Sequence, residues 1–172
     1  MTTRPASNEF APVVEKYVNR VPDGDVRDYL KELGETTAAL LRSLTEDEAD
    51  YRYAEGKWSV KEVIGHCIDN ERIWAYRLLR IARNDAKELP GYDENIVAAH
   101  APYAGYTRDR LAAEYNAVRI ATLALLSGLP NEAWLRTGTF GGHPLSVRAA
   151  AYVIGGHEDH HIHVIKERYL AR

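Results

Sequence analysis

The chain has 172 residues, 45% of them hydrophobic and 27% charged, which suits one domain with a substantial core. A formal net charge of -3 argues against a general binder of phosphate backbones, so nucleic acid is not an expected partner. No apolar run approaches the roughly 20 residues needed to cross a bilayer and Met1–Tyr17 lacks a signal-peptide core, so a cytoplasmic protein is expected.

Four long helical patterns follow one another after an N-terminal extension, residues 1–24. The first runs from about Asp25, a candidate N-cap after Pro22-Asp23-Gly24, to Leu44, with Leu30, Leu33, Leu40 and Leu41 as its apolar positions. A second begins at Ser59, where Ser59-Val60-Lys61-Glu62 has the form of a capping box, and continues to about Arg83. It carries His66 and the single cysteine, Cys67, which rules out an intrachain disulfide and fits a reducing compartment. Cys67 reads as a small buried hydrophobe, with a thiol beside a metal as the alternative.

A long irregular joint, Asn84 to Tyr106, contains Leu89-Pro90-Gly91-Tyr92-Asp93-Glu94-Asn95, and Glu94 to Ala99 could form a short helix within it. The third long helix is expected from Thr107 to about Ser127, stopped by Gly128-Leu129-Pro130. Leu135 to Leu145 then reads as a small hairpin turning at Gly141-Gly142. The fourth helix starts near Ser146 and reaches about Tyr169. The expected fold is all-α: a four-helix bundle with a long loop between helices two and three and a small hairpin before helix four.

The fourth helix holds the most informative stretch, Gly155-Gly156-His157-Glu158-Asp159-His160-His161. Residues four apart on a helix differ by only about 40° around the axis, so His157 and His161 share a face and can grip one cation. Val147, Ala150, Val153, Ile154, Val164 and Ile165 lie on the same stripe, which points the pair into the core. Buried imidazole needs partners for its nitrogens, and a divalent cation supplies one; a hydrogen-bonded core histidine is the plainer alternative. His160, about 60° aside, reads as rim, and His163 as solvated.

His157-Glu158-x-x-His161 matches the zinc-protease signature literally, but Val164 and Glu167 stand where its extended form requires Gly and His. A third ligand is sought upstream instead. His66 borders an apolar stripe formed by Cys67, Trp74 and Leu78, and Asn70 and Arg77 share its helical line; His100 and His143, in the joint and the hairpin, are weaker choices.

Gly56-Lys57-Trp58-Ser59-Val60-Lys61-Glu62-Val63-Ile64-Gly65-His66, then Asp69-Asn70-Glu71-Arg72, Leu89 to Asn95, and Gly156-His157-x-x-x-His161 together resemble the DinB/YfiT-like superfamily over roughly residues 25 to 170. The resemblance implies a four-helix bundle holding one divalent metal through three histidines, here His66, His157 and His161. Three neutral imidazoles suit zinc first and nickel as the alternative, and leave an exchangeable position. Such a cation can lower the pKa of a water for hydrolysis or hold a thiol as thiolate. By the resemblance, the expected activity is transfer of a low-molecular-weight thiol such as bacillithiol or mycothiol to an electrophile, in stress response or detoxification. A metal-dependent hydrolase and a non-enzymatic metal-binding stress protein are the alternatives. Tyr92, Asp93 and Asn95 are expected at the mouth of the site and Arg77 against a substrate carboxylate, with turn cap, loop tie and surface ion pair as their plainer readings. A homodimer is expected from the resemblance alone.

Overall fold

A computed structural model describes residues 3–85 and 87–171. Its helices are α1 (Glu15–Val18), α2 (Val26–Ser43), α3 (Glu46–Asp50), α4 (Val60–Ala82), α5 (Glu94–Ala99), α6 (Arg108–Ser127) and α7 (Val147–Ile165), with β1 (Thr137–Phe140) and β2 (His143–Ser146) forming one antiparallel hairpin. The four long helices, α2, α4, α6 and α7, make the bundle. Side-chain caps start each of them: Asp25 accepts from the Arg27 amide, Ser59 from Glu62, Thr107 from Arg110 and Ser146 from Ala149. These bonds satisfy amides that have no partner within the helix. At the far end of α7, Lys166–Leu170 widens into a π turn, so the α-helix stops short of the Tyr169 end expected from the sequence.

Helix α4 packs beside α7 and α6, and α2 beside α6 and α7, which leaves α2 across the bundle from α4 and α6 across from α7. The Tyr169 hydroxyl beyond α7 donates to the Trp58 carbonyl ahead of α4 at 2.8 Å, while Ile81 near the end of α4 packs at Gly138 in the hairpin leading into α7. Helices α4 and α7 are therefore antiparallel. On α6, Leu111 joins Ile162 and Ile165 in one apolar cluster and Leu126 joins Val147 and Val153 in the other, so α6 also opposes α7 and runs parallel to α4. Two parallel neighbours need a connection that returns along the whole helix, about 35 Å for the 23 residues of α4. That return is the physical reason for the long joint between α4 and α6.

The two apolar clusters are separated by a polar layer to which every bundle helix contributes. Arg119 of α6 donates to Glu71 of α4 at 2.8 Å, to the Leu30 carbonyl of α2 at 2.7 Å, and to Glu158 of α7. The other Glu158 oxygen accepts from Thr37 at 2.7 Å and from the Tyr115 hydroxyl at 2.5 Å. Arg119, Glu71 and Glu158 are each no more than 4% exposed, so a buried charge network with its partners satisfied marks the register of the four helices.

The N-terminal residues are more than an extension. Phe10, Ala11, Val14, Val18 and Val21 are buried, and α1 packs directly on α7. Helix α7 is consequently covered almost all round from Val147 to Glu158, where its sequence pattern had suggested one buried stripe. Ala149, Ala150, Ala151, Gly155 and Gly156 supply the small surface that lets several neighbours approach together.

Candidate metal centre

His66, in the second turn of α4, and His157 and His161, on successive turns of α7, meet at the α4–α7 seam. One ring nitrogen from each lies within 4.8 Å of the others, and His66 Nε2 stands 3.1 Å from His157 Nε2. Two nitrogens about 2.0–2.1 Å from a tetrahedral zinc are separated by about 3.3 Å, so the His66–His157 spacing already suits one edge of such a site. Closing the widest gap, from 4.8 Å to that edge, needs a relative shift of roughly 1.5 Å, a side-chain adjustment. The donor set fits a borderline divalent cation such as zinc or nickel.

The rings are held neutral, as metal ligation requires. Burial, reinforced by His161, His66, His160 and Lys16, pushes His157 well below the usual imidazole range. Burial with His66, His160 and Lys16 brings His161 down to about 3. For His66 burial also lowers the pKa, opposed by the carboxylates of Glu94 and Asp69. Glu94, from the loop helix α5, thus brings negative charge to His66, which nothing in its local sequence pattern indicates.

Aromatic rings wall the triad. Tyr17 of α1 packs edge-on against His157 at 5.0 Å between centroids, and Trp58 sits 5.1 Å from His66. Each ligand-bearing helix has a glycine immediately before its first histidine, and each glycine admits a close neighbour. A Cβ on Gly65 would stand 2.1 Å from the Tyr103 ring, and one on Gly156 would stand 1.8 Å from the Tyr17 carbonyl oxygen. Tyr17 escaped the sequence reading because α1 is a single turn, too short to show a periodicity.

The triad lies at the α4–α7 seam, where His157 is buried, as its place on the apolar stripe implies, and His161 is half-buried. The bundle axis is taken by Arg119 and its two carboxylates. Glu158 is 3% exposed and turned toward α2 and α6, about 100° around α7 from His157. It has no place as a general base on the zinc-protease pattern. Arg119 does carry a sequence signal: it sits in the stripe Leu111, Tyr115, Thr122 and Leu126, where a charged residue in a helical apolar pattern implies a buried partner.

Other sequence candidates have distinct positions. His160 lies beside the triad, 5.1 Å from the His161 ring and 5.9 Å from Tyr17, while His163 is exposed and within 3.0 Å of Glu167. Cys67 is buried, and burial together with Glu158 and Glu71 pushes its thiol pKa well up, so it behaves as a small core residue. The Tyr92 hydroxyl accepts from Asn70 at 2.9 Å, Asp93 caps α5 through the Asn95 and Ile96 amides, and Asn95 is exposed. Arg77, expected to face a substrate carboxylate, is 2% exposed, donates to the Pro90 carbonyl at 2.8 Å and lies over the rings of Phe140, Trp74 and Tyr92. It ties the long joint to α4 because flat aromatic faces and a backbone oxygen meet a guanidinium there.

The sequence profile of the DinB superfamily matches residues 29–165, which include all three histidines. The chain belongs to the DinB superfamily. Among solved structures, YfiT from Bacillus subtilis matches with a TM-score of 0.74 and 17% sequence identity, over 96% of this chain and 91% of that one. YfiT is described as a probable metal-dependent hydrolase with an unusual four-helix bundle topology. At that identity the likeness establishes the fold. No curated protein matches the chain. No helix among the described residues is long and apolar enough to cross a membrane.

Proposed function

We propose that this DinB-superfamily protein is a divalent-metal-dependent enzyme that transfers a low-molecular-weight thiol to a small electrophilic molecule, in a stress or detoxification role. The observation that carries the reading is the convergence of three neutral imidazoles, one from each of His66, His157 and His161, within 4.8 Å at a helix seam. A divalent cation there, zinc first and nickel as the alternative, supplies positive charge that lowers the pKa of a thiol or a water. The histidines hold and orient it, and Tyr17 and Trp58 limit solvent on two sides.

Two features favour thiol over water. A thiol with a pKa near 8.5 needs far less acidification than water at 15.7, and no carboxylate hydrogen-bonds to the triad among the described residues to serve as a base. The thiol must come from outside, because Cys67 is buried and uncharged. A reducing, cytoplasmic setting and a homodimer of single-domain chains complete the proposal. A second reading, metal-dependent hydrolysis, draws on YfiT's description and on Glu94 and Asp69, whose charge reaches His66.

The test is consumption of monochlorobimane by the purified protein with a panel of small thiols, with and without chelator. Thiol-dependent turnover lost on chelation and restored by zinc or nickel supports transfer. Chelator-sensitive ester cleavage without thiol supports the hydrolase instead. Rates equal to free metal in both assays refute an enzymatic role.

A further inference from the structure

Next to the triad lies a cavity of about 280 Å³, walled by Tyr53, Lys57, Trp58, Val63, His161 and Tyr169. No residue of the joint between α4 and α6 contributes to it; the segment before α4, the first turn of α4, and the end of α7 with the turn after it build it. Three aromatic side chains form much of its wall. Tyr53 and Tyr169 meet edge to face at 4.9 Å, the Tyr169 hydroxyl is anchored to the Trp58 carbonyl, and the Trp58 indole rests on His66. Trp58 and His161 thus belong to both the cavity wall and the triad's surroundings.

Among the described residues that line the cavity, Lys57 is the one that carries a charge. Lys57 is exposed and makes no ion pair among the described residues. Arg168 lies 5.7 Å over the Tyr53 ring and likewise has no carboxylate partner among them. Of the acids close in sequence, Glu62 pairs with Arg52 at 2.5 Å and Glu167 with His163 at 3.0 Å, and the exposed Glu55 does not line the cavity. Aromatic walls favour a flat apolar body, and the Lys57 ammonium on the wall favours a negative group on it.

We infer that this cavity binds a small aromatic monoanion, its ring between Tyr53 and Trp58 and its carboxylate on Lys57, with the opposite end of the molecule directed to His161. The inference deepens the proposed function, and it rests on that reading only for what happens at the His161 end. Lys57 sets specificity for charge, and the tyrosine and tryptophan faces set it for shape.

Ligand-observed ¹⁹F NMR on the full chain, metal-free and zinc-loaded, tests it with 4-fluorophenylacetate and its neutral isostere 4-fluorophenylacetamide. The acid should bind at least about tenfold more tightly than the amide. Lys57→Met should bring the acid down to the amide's affinity, Lys57→Arg should keep the preference, and Tyr53→Leu should weaken both probes alike. Lys57 is exposed, so an unchanged melting temperature separates lost binding from lost fold. Equal affinity for acid and amide, or a preference that survives Lys57→Met, overturns the inference. Acid preference in the metal-free protein upholds it even where zinc fails to bind, the outcome that would sink the metal reading alone.

Discussion

The carbonyl oxygen of Tyr17 occupies the space where a side chain on Gly156 would begin: a Cβ there would stand 1.8 Å away. One residue further along α7, His157 receives the Tyr17 ring. The glycine and the aromatic cover of the histidine triad are therefore parts of one contact between α1 and α7.

Gly156→Ala should force that contact open. Overpacking of this kind costs about 1–3 kcal/mol, and backbone on the other side leaves little room to yield. The expected outcome is a lower unfolding midpoint in denaturant together with faster hydrogen exchange at Glu15–Val18, measured by mass spectrometry. Local loosening of α1 with the bundle helices still protected would locate the effect at this contact.

Arg119 offers a sharper stability test. Arg119→Met leaves Glu71 and Glu158 in the core without the guanidinium that both of them face. Breaking one side of a buried charge network costs roughly 3–5 kcal/mol. The melting temperature should fall by roughly 6–20 °C at a slope of about 2–4 °C per kcal/mol for a chain of this size. Calorimetry showing a shift within a degree of the parent would mean the layer is neutral.

The pH dependence has a named contributor at the N-terminal segment. Glu9 is partly buried, which raises its pKa, but hydrogen bonds from Arg148, Ala6 and Ser146 and the charge of Arg148 outweigh that and bring it down to about 2. Arg148 Nε donates to Glu9 at 2.7 Å. A depressed carboxylate contributes stability that is fully present above its unfolded value near 4.5 and is lost as pH falls from there through about 2. Glu9→Gln should therefore cost roughly 1–2 kcal/mol at pH 7 and narrow its deficit to the parent as pH drops below 4, read from urea midpoints across pH.

The bundle was legible because its signals are local. Asp25, Ser59, Thr107 and Ser146 each cap the helix their sequence context announces, and Gly141-Gly142 turns the hairpin with both glycines at positive φ, 60° and 75°. His157 and His161 share a helix face by spacing alone, and His66 joins them across the α4–α7 seam. What stayed hidden depends on partners distant in the chain. Nothing near Glu158 tells that Thr37, Tyr115 and Arg119 will turn it to the axis, and nothing in Glu15–Val18 tells that its tyrosine will cover a ring on α7. Arg77 shows the same limit: its cation is matched by the faces of Trp74, Phe140 and Tyr92, which come from three separate stretches.

The most direct measurement is metal content, by inductively coupled plasma mass spectrometry, of protein purified without an affinity tag, alongside five histidine variants. The account predicts close to one divalent ion per chain in the parent, in His160→Ala and in His163→Ala, and loss of it in His66→Ala, His157→Ala and His161→Ala. Metal retained after removal of any one of those three, or absent from the parent after exposure to zinc and nickel, would contradict it.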